Sequence, residues 1–409
     1  MINRNTAFVA VTSVIAYALP TYVIVAPAYT INQFNVAQWL AFLIVSIPFG
    51  GRVIGALSYQ KIIVSLGSRL TFLTSLFSLG IISIASGIVS NIGILIVLRL
   101  LVGVMFGLAT SFAVEQAIKT GNRFITALTM SGWAIGWIGG AFAYLDLKTW
   151  YLIALSGGIT IPLSLLYQKT DSFKGEKIKL GLPSLLSVLA FFFAFEPAFI
   201  LQLAPTILEK EGGLSWLILG YSISVPMYFI IPALARILGE TKAIIISTSI
   251  SALSGTLFFV TGIPYLVVIF NAFGLGINSL APRISQFYGA GARNMGVALN
   301  AAALGGVIVP VVGSINIKIV ASLITAISMI ALLIMGIKVR EGIAVGNYRS
   351  TSNYSSISNS VERYNLKYIK IINKLQNYIT RSFKRINLSN KRVLAILSTI
   401  DFHFYHRFE

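Results

Sequence analysis

Long apolar runs separated by short polar breaks organise this chain, with a period of about 25 to 30 residues from residue 6 to residue 338. Twelve runs stand out, at about 6–30, 37–59, 70–90, 92–114, 124–145 and 149–168, then 182–206, 214–236, 243–262, 264–282, 294–315 and 317–338. Each is long enough to cross about 30 Å of hydrocarbon. Several are rich in Ile and Val. At this length, helices are still the expected way to satisfy backbone groups in lipid, because barrel strands are near 10 residues and alternate. The reading is therefore an all-α integral membrane protein with twelve transmembrane helices.

The breaks divide the chain further. A polar, charged stretch at 169–181 splits the runs six and six. It leaves a first bundle over 1–168, a cytoplasmic linker over 169–181 and a second bundle over 182–338. The halves carry similar landmarks. Leu66-Gly67-Ser68-Arg69 resembles Leu238-Gly239-Glu240-Thr241-Lys242. Arg99 lies about 172 residues before Asn271. Gly121-Asn122-Arg123 matches Gly291-Ala292-Arg293 at an offset near 170. A nearly constant offset predicts a duplication, with the halves related by a pseudo-two-fold axis along the membrane normal.

Composition agrees with this pattern: 56% of residues are hydrophobic and only 11% charged, with a mean hydropathy of +0.85. A soluble domain carries about 25% charged residues. The net charge of +19 gathers in loops and tail, which suits an anionic membrane surface rather than a nucleic acid. One set of loops holds Lys61, Arg69, Lys119, Arg123, Lys169, Lys174, Lys177, Lys179, Lys242, Arg283 and Arg293. The alternate set holds little beyond Lys148, Lys210 and Lys318. The positive-inside rule then places both termini in the cytoplasm of a multi-pass protein of the cell (plasma) membrane. From 339 onward the chain becomes a basic cytoplasmic tail, Ser/Asn/Tyr-rich over 347–360. Leu366, Ile369, Leu375, Ile379, Phe383 and Ile386 then recur near helical spacing among Lys and Arg. This pattern reads as an amphipathic helix for the anionic leaflet, or equally as a solvated tail.

Chemistry is sparse. There are no cysteines, so thiol catalysis and thiolate metal sites are excluded. His403 and His406 sit alone in the tail, with too few companions for a metal site. There is no phosphate-loop motif, and nothing calls for a cofactor or an enzymatic activity. Two isolated charges inside apolar runs matter most: Arg99 in 92–112 and Glu196 in 182–205. Such charges are costly in lipid and face a protein interior or a wet path. Counting 1.5 Å per residue puts Arg99 about 10 Å and Glu196 about 14 Å from the same membrane face. They are close enough in depth for a pair across the halves; the alternative is that Arg99 bonds backbone carbonyls within its own half. Glu196 is the candidate proton carrier. Weaker candidates for solute contact are Asn271, Asn278, Gln202 and Tyr17, each of which could equally bond between helices. Pro20 and Pro27, with Pro197 and Pro205, can bend their helices and free carbonyls. Arg52 is expected to snorkel to the cytoplasmic end. Gly132, Gly136, Gly139 and Gly140 read as helix-packing positions.

The stretch Arg99-Leu100-Leu101-Val102-Gly103-Val104-Met105-Phe106-Gly107, followed by Glu115 and Arg123, is similar to the span-four motif of the major facilitator superfamily. With the six-plus-six layout, residues 6–338 resemble that family. The loop after span two departs from the family pattern. It starts as Gly55-Ala56-Leu57-Ser58-Tyr59-Gln60-Lys61, with Tyr59 where the family has aspartate, and Gly67-Ser68-Arg69 ends it after extra residues. Span one has no acid, and Trp137 follows Gly136 where family antiporters carry a glycine-proline signature. The resemblance implies two six-helix bundles around a central cavity lined by spans one, four, seven and ten. It implies a transporter of a small organic solute working by alternating access, with proton symport and uncoupled facilitation both open. A membrane sensor without net transport is the alternative. It also implies a cytoplasmic gate built from Glu115, Arg123 and Arg69.

Overall fold

The computed structural model describes residues 4–166, 208 and 213–280. Among them every regular element is helical: α1 (Arg4–Tyr29), α2 (Gln38–Ile88), α3 (Ile92–Lys119), α4 (Arg123–Leu147), α5 (Trp150–Ser156), α6 (Thr160–Ser164), α7 (Leu214–Leu238), α8 (Glu240–Thr261) and α9 (Tyr265–Gly276). Single turns of 3-10 helix follow α5 at Gly157–Ile159 and α9 at Ile277–Ser279. Six of these helices are long and apolar enough to cross a membrane, which makes this a membrane protein. Runs 182–206, 294–315 and 317–338, the linker and the tail lie outside the described residues.

The helices begin and end where the sequence supplies local reasons. The Asn91 side chain accepts from the Ile94 amide at 3.1 Å and so caps α3. Asn122 accepts from the Phe124 amide at 2.9 Å and caps α4. α2 is the informative case. Its 51 residues would extend about 76 Å, far more than one bilayer crossing. It is two spans joined at Gly67, which has φ 77° and ψ 172°. A Cβ there would be strained, so glycine is required. The expected loop at 60–69 thus shrinks to a single residue, because Gln60, Lys61 and Ser65 can stay helical and still present polar groups at the surface.

Gly239, between α7 and α8, has φ 86° and ψ 149°. It is the counterpart of Gly67 at the sequence offset of about 172. A second correspondence lies in the packing. A Cβ on Gly55 of α2 would overlap the Val104 carbonyl of α3, and a Cβ on Gly276 would meet Met227 of α7. These are the same two positions at the same offset, with the small residue moved to the other helix.

Within the first group of helices, packing is backbone to backbone. Gly51 and Gly55 of α2 face Gly103 and Gly107 of α3. Any Cβ at these four sites would overlap a carbonyl of the facing helix: Leu100 and Val104, or Pro48 and Arg52. This is the small-residue spacing that lets helices approach closely in lipid, where no hydrophobic force drives them together. Gly132, Gly136 and Gly140 of α4 lie against the side chains of Tyr17, Thr21 and Val25 of α1, and a Cβ on Gly136 would also overlap the Ala18 carbonyl. Gly139 touches only the edge of the Tyr22 ring, at 3.6 Å. The described part of the run at 149–168 is helical over Trp150–Ser164 and tightens to a 3-10 turn midway. The turn falls at Gly157-Gly158, where Gly157 packs on Ser83 and the Ser83 hydroxyl donates to the Ala154 carbonyl at 2.8 Å.

Candidate functional site

Arg99 is 1% exposed, and α1 explains what it does. Pro27 has no N–H, so the carbonyl four residues earlier, Val23, has no helical donor. Arg99 supplies one. Its Nη1 donates to the Val23 carbonyl at 3.0 Å and its Nη2 to the Ile24 carbonyl at 2.6 Å. The guanidinium also lies 5.7 Å from the Trp150 ring centroid. Both terminal nitrogens are thus spent on backbone between α3 and α1, as in the second of the two arrangements weighed from the sequence. Gln33 seals this end of the group. Its side chain donates to the Lys148 carbonyl and accepts from the Trp150 amide. Glu196 and Gln202 lie outside the described residues.

Asn271, the counterpart of Arg99, is fully buried and faces Gly220 of α7. A Cβ on Gly220 would stand 2.9 Å from its Nδ2. Neither amide atom of Asn271 has a hydrogen-bond partner.

The residues that converge are others. α4 runs along α7, bringing the first group of helices against the second. Along this seam Phe124 meets Phe229 at 5.2 Å, and Trp137 stacks on Tyr221 at 5.1 Å with 14° between the planes. Tyr29 supports Trp137 edge-on, and its hydroxyl donates to the Trp137 carbonyl at 3.2 Å. Farther along, Tyr17 of α1 lies beside Arg52 of α2 and near Tyr228 of α7, and Asn278 faces Tyr228. Two of the residues proposed from sequence, Tyr17 and Asn278, therefore meet here.

Arg52 corrects an expectation. It does not snorkel: it is 5% exposed, with its guanidinium 4.5 Å from the Phe106 centroid and 5.3 Å from that of Trp133. The cause is local. Its helix is pressed against α3 by Gly51 and Gly55, so the side chain enters the bundle over an aromatic floor instead of running along the surface. Sequence reading also missed Tyr221, Tyr228 and Trp133. Aromatic residues in apolar helices carry no distinguishing periodicity, and only the packing of α4 on α7 reveals them.

The seam's polarity is unspent. Trp137 Nε1, Tyr221 OH and Asn278 Oδ1 are buried without a hydrogen-bond partner, and the Tyr228 hydroxyl has only the Asn278 amide beside it. A buried polar group left unpaired costs about 1–3 kcal/mol, and native proteins leave few of them. Such atoms are not confined to the seam: Arg99 Nε, Ser247 Oγ and both amide atoms of Asn271 are also unpaired.

The gate residues fall into two environments. Glu115 is 1% exposed. It pairs with Lys119 at 2.6 Å and accepts from the Tyr59 hydroxyl at 2.7 Å. Tyr59, standing where the resembled family has aspartate, thus ties α2 to the acid of α3. Arg123 and Arg69 are exposed, at the starts of α4 and of the second half of α2. Among the described residues no group of three or more His, Asp or Glu could hold a metal ion. No protein-family model matches this chain, and no curated protein matches it.

Proposed function

We propose that this protein is a secondary transporter that moves a small organic solute across the membrane by alternating access, the two helix groups rocking about the α4–α7 seam. The observation that carries this reading is the row of unpartnered buried polar atoms on that seam. Buried polar groups are usually satisfied internally, and those of the seam line the boundary between the two helix groups. A solute path leaves them to the solute. The recurrence of Gly67 in Gly239, and of the 55–104 contact in the pair 227–276, supports two duplicated bundles of six spans, the arrangement of the major facilitator superfamily. The lysine and arginine distribution supports cytoplasmic termini and a cytoplasmic position for Glu115, Tyr59 and Lys119.

In this reading Tyr17, Arg52, Tyr228 and Asn278 contact the solute. Arg99 is a positioning residue that holds α1 on α3. Glu196 is the acid available for proton coupling. The test begins with a thermal-shift screen of the purified protein against metabolites, since a bound solute stabilises by mass action. Hits are then measured for uptake into proteoliposomes with and without a pH gradient. The reading predicts a solute that both stabilises the protein and enters the vesicles, with Tyr228→Phe lowering both effects. Solutes that bind without ever crossing would replace it with the sensor reading. Uptake that is indifferent to the gradient in wild type and Glu196→Gln alike would make the protein an uncoupled facilitator.

A further inference from the structure

The seam's chemistry narrows the solute, on the premise that the seam is the transport path. Its most ordered contact is the parallel stack of Trp137 on Tyr221, one ring from each helix group. Trp137 is held from behind by Tyr29 and flanked by Trp133 at 6.3 Å, so its ring plane is fixed by its own group. Tyr221 belongs to the other group and leaves with it when the groups part. What it leaves is a rigid, flat indole face, and the indole N–H beside that face has no partner even in the closed arrangement. The Tyr221 hydroxyl is likewise unpartnered, and Tyr228 lies farther along α7, facing Asn278 of the 3-10 turn that follows α9. Flat faces of this kind favour flat solutes, because offset stacking needs a second planar ring. Trp137 Nε1 is an obligate donor and the Tyr221 hydroxyl can do either; Asn278 Oδ1, an obligate acceptor, and the Tyr228 hydroxyl stand farther along the seam.

We infer that the transported solute is a planar aromatic or heteroaromatic molecule with polar groups on its edge, stacking on Trp137 in the place that Tyr221 occupies when the seam is closed. An aliphatic solute of equal size would gain burial but no stacking.

The experiment uses the purified full-length protein and four probes: benzoate, nicotinamide and adenine as planar rings, and cyclohexanecarboxylate as the puckered counterpart of benzoate. Binding is read by quenching of tryptophan fluorescence and by thermal shift. At least one planar probe is expected to saturate, and benzoate is expected to bind about fivefold more tightly than cyclohexanecarboxylate. Trp137→Leu should weaken the best planar probe at least tenfold, whereas Trp137→Phe, which keeps a ring, should weaken it less. If Trp137→Leu does not fold, Tyr221→Leu tests the facing ring. Equal binding of benzoate and cyclohexanecarboxylate, silence of all three planar probes, or a Trp137→Leu protein that binds as wild type would overturn the inference. Failure of the transport reading looks different: a planar probe binds in this way and never enters vesicles. Transport of a non-planar solute alone would leave that reading intact and sink this one.

Discussion

The α2–α3 and α4–α7 interfaces bury similar kinds of helices by opposite means. Between α2 and α3 the backbones touch: four glycines sit against facing carbonyls with no room for a methyl group. Between α4 and α7 rings meet rings, Phe124 on Phe229 and Trp137 on Tyr221. A backbone contact is over-determined, because displacement of a few tenths of an ångström is a clash or a gap. A ring contact can separate and re-form, or accept another ring, with small rotamer changes. Under the proposed transport reading, the difference assigns the hinge: helices inside one group would move together, and the groups would move against each other along the aromatic seam. It also sorts the two buried arginines. Arg99 lies inside the glycine-packed group, committed to backbone, and Arg52 lies where that group meets the other.

The comparison breaks most sharply at Gly103. Gly103→Leu drives a side chain into the Pro48 backbone and should cost about 3 kcal/mol or more. The check is thermal melting and the yield of monodisperse protein in detergent. An unchanged melting temperature would mean that the α2–α3 contact is not tight. Arg99→Met comes next, at about 2–3 kcal/mol, since it strands the buried Val23 carbonyl and removes a donor from that of Ile24. Pro27→Ala restores a backbone donor for Val23. The double variant Pro27→Ala/Arg99→Met should therefore lose less than the sum of the two single changes. Strict additivity would show that Arg99 does not compensate for the proline. On the seam, Tyr221→Leu should cost only about 1 kcal/mol, the value of an aromatic pair, while altering solute binding. Lys119→Ala should be the mildest, at about 0.5 kcal/mol and weaker still in high salt, because its partner Glu115 keeps the Tyr59 hydroxyl.

Much of this was legible from residue order. Every apolar run within the described residues is helical, because an apolar segment of that length has few other ways to pair its backbone. The packing role of Gly132, Gly136 and Gly140 followed from small-residue spacing, and the proline-freed carbonyls of α1 were foreseeable from Pro27. That Arg99 answers Pro27 was open, because sequence gives depth without azimuth. A residue 10 Å from a membrane face can point in any direction around its helix. Arg52 was misjudged for the same reason: its position near a helix end says nothing of the aromatic floor that Phe106 and Trp133 build from two other helices. The seam was invisible because it depends on which faces of α4 and α7 meet. The one-residue turn at Gly67 was hidden by polar residues that helix and loop accept equally.

The rocking of the two groups about the α4–α7 seam is tested most directly by closing it covalently. The chain has no cysteine, so a Phe124→Cys/Phe229→Cys protein carries only the two thiols introduced where the rings lie 5.2 Å apart. Treated with a short bifunctional thiol reagent cleavable by reduction, it should cross-link within one chain. Proteoliposome uptake of whatever solute the screen identifies should then fall to background and return on reduction, while each single-cysteine protein is unaffected. Full uptake by the quantitatively cross-linked protein would contradict the account, because a seam that never opens could not be the path.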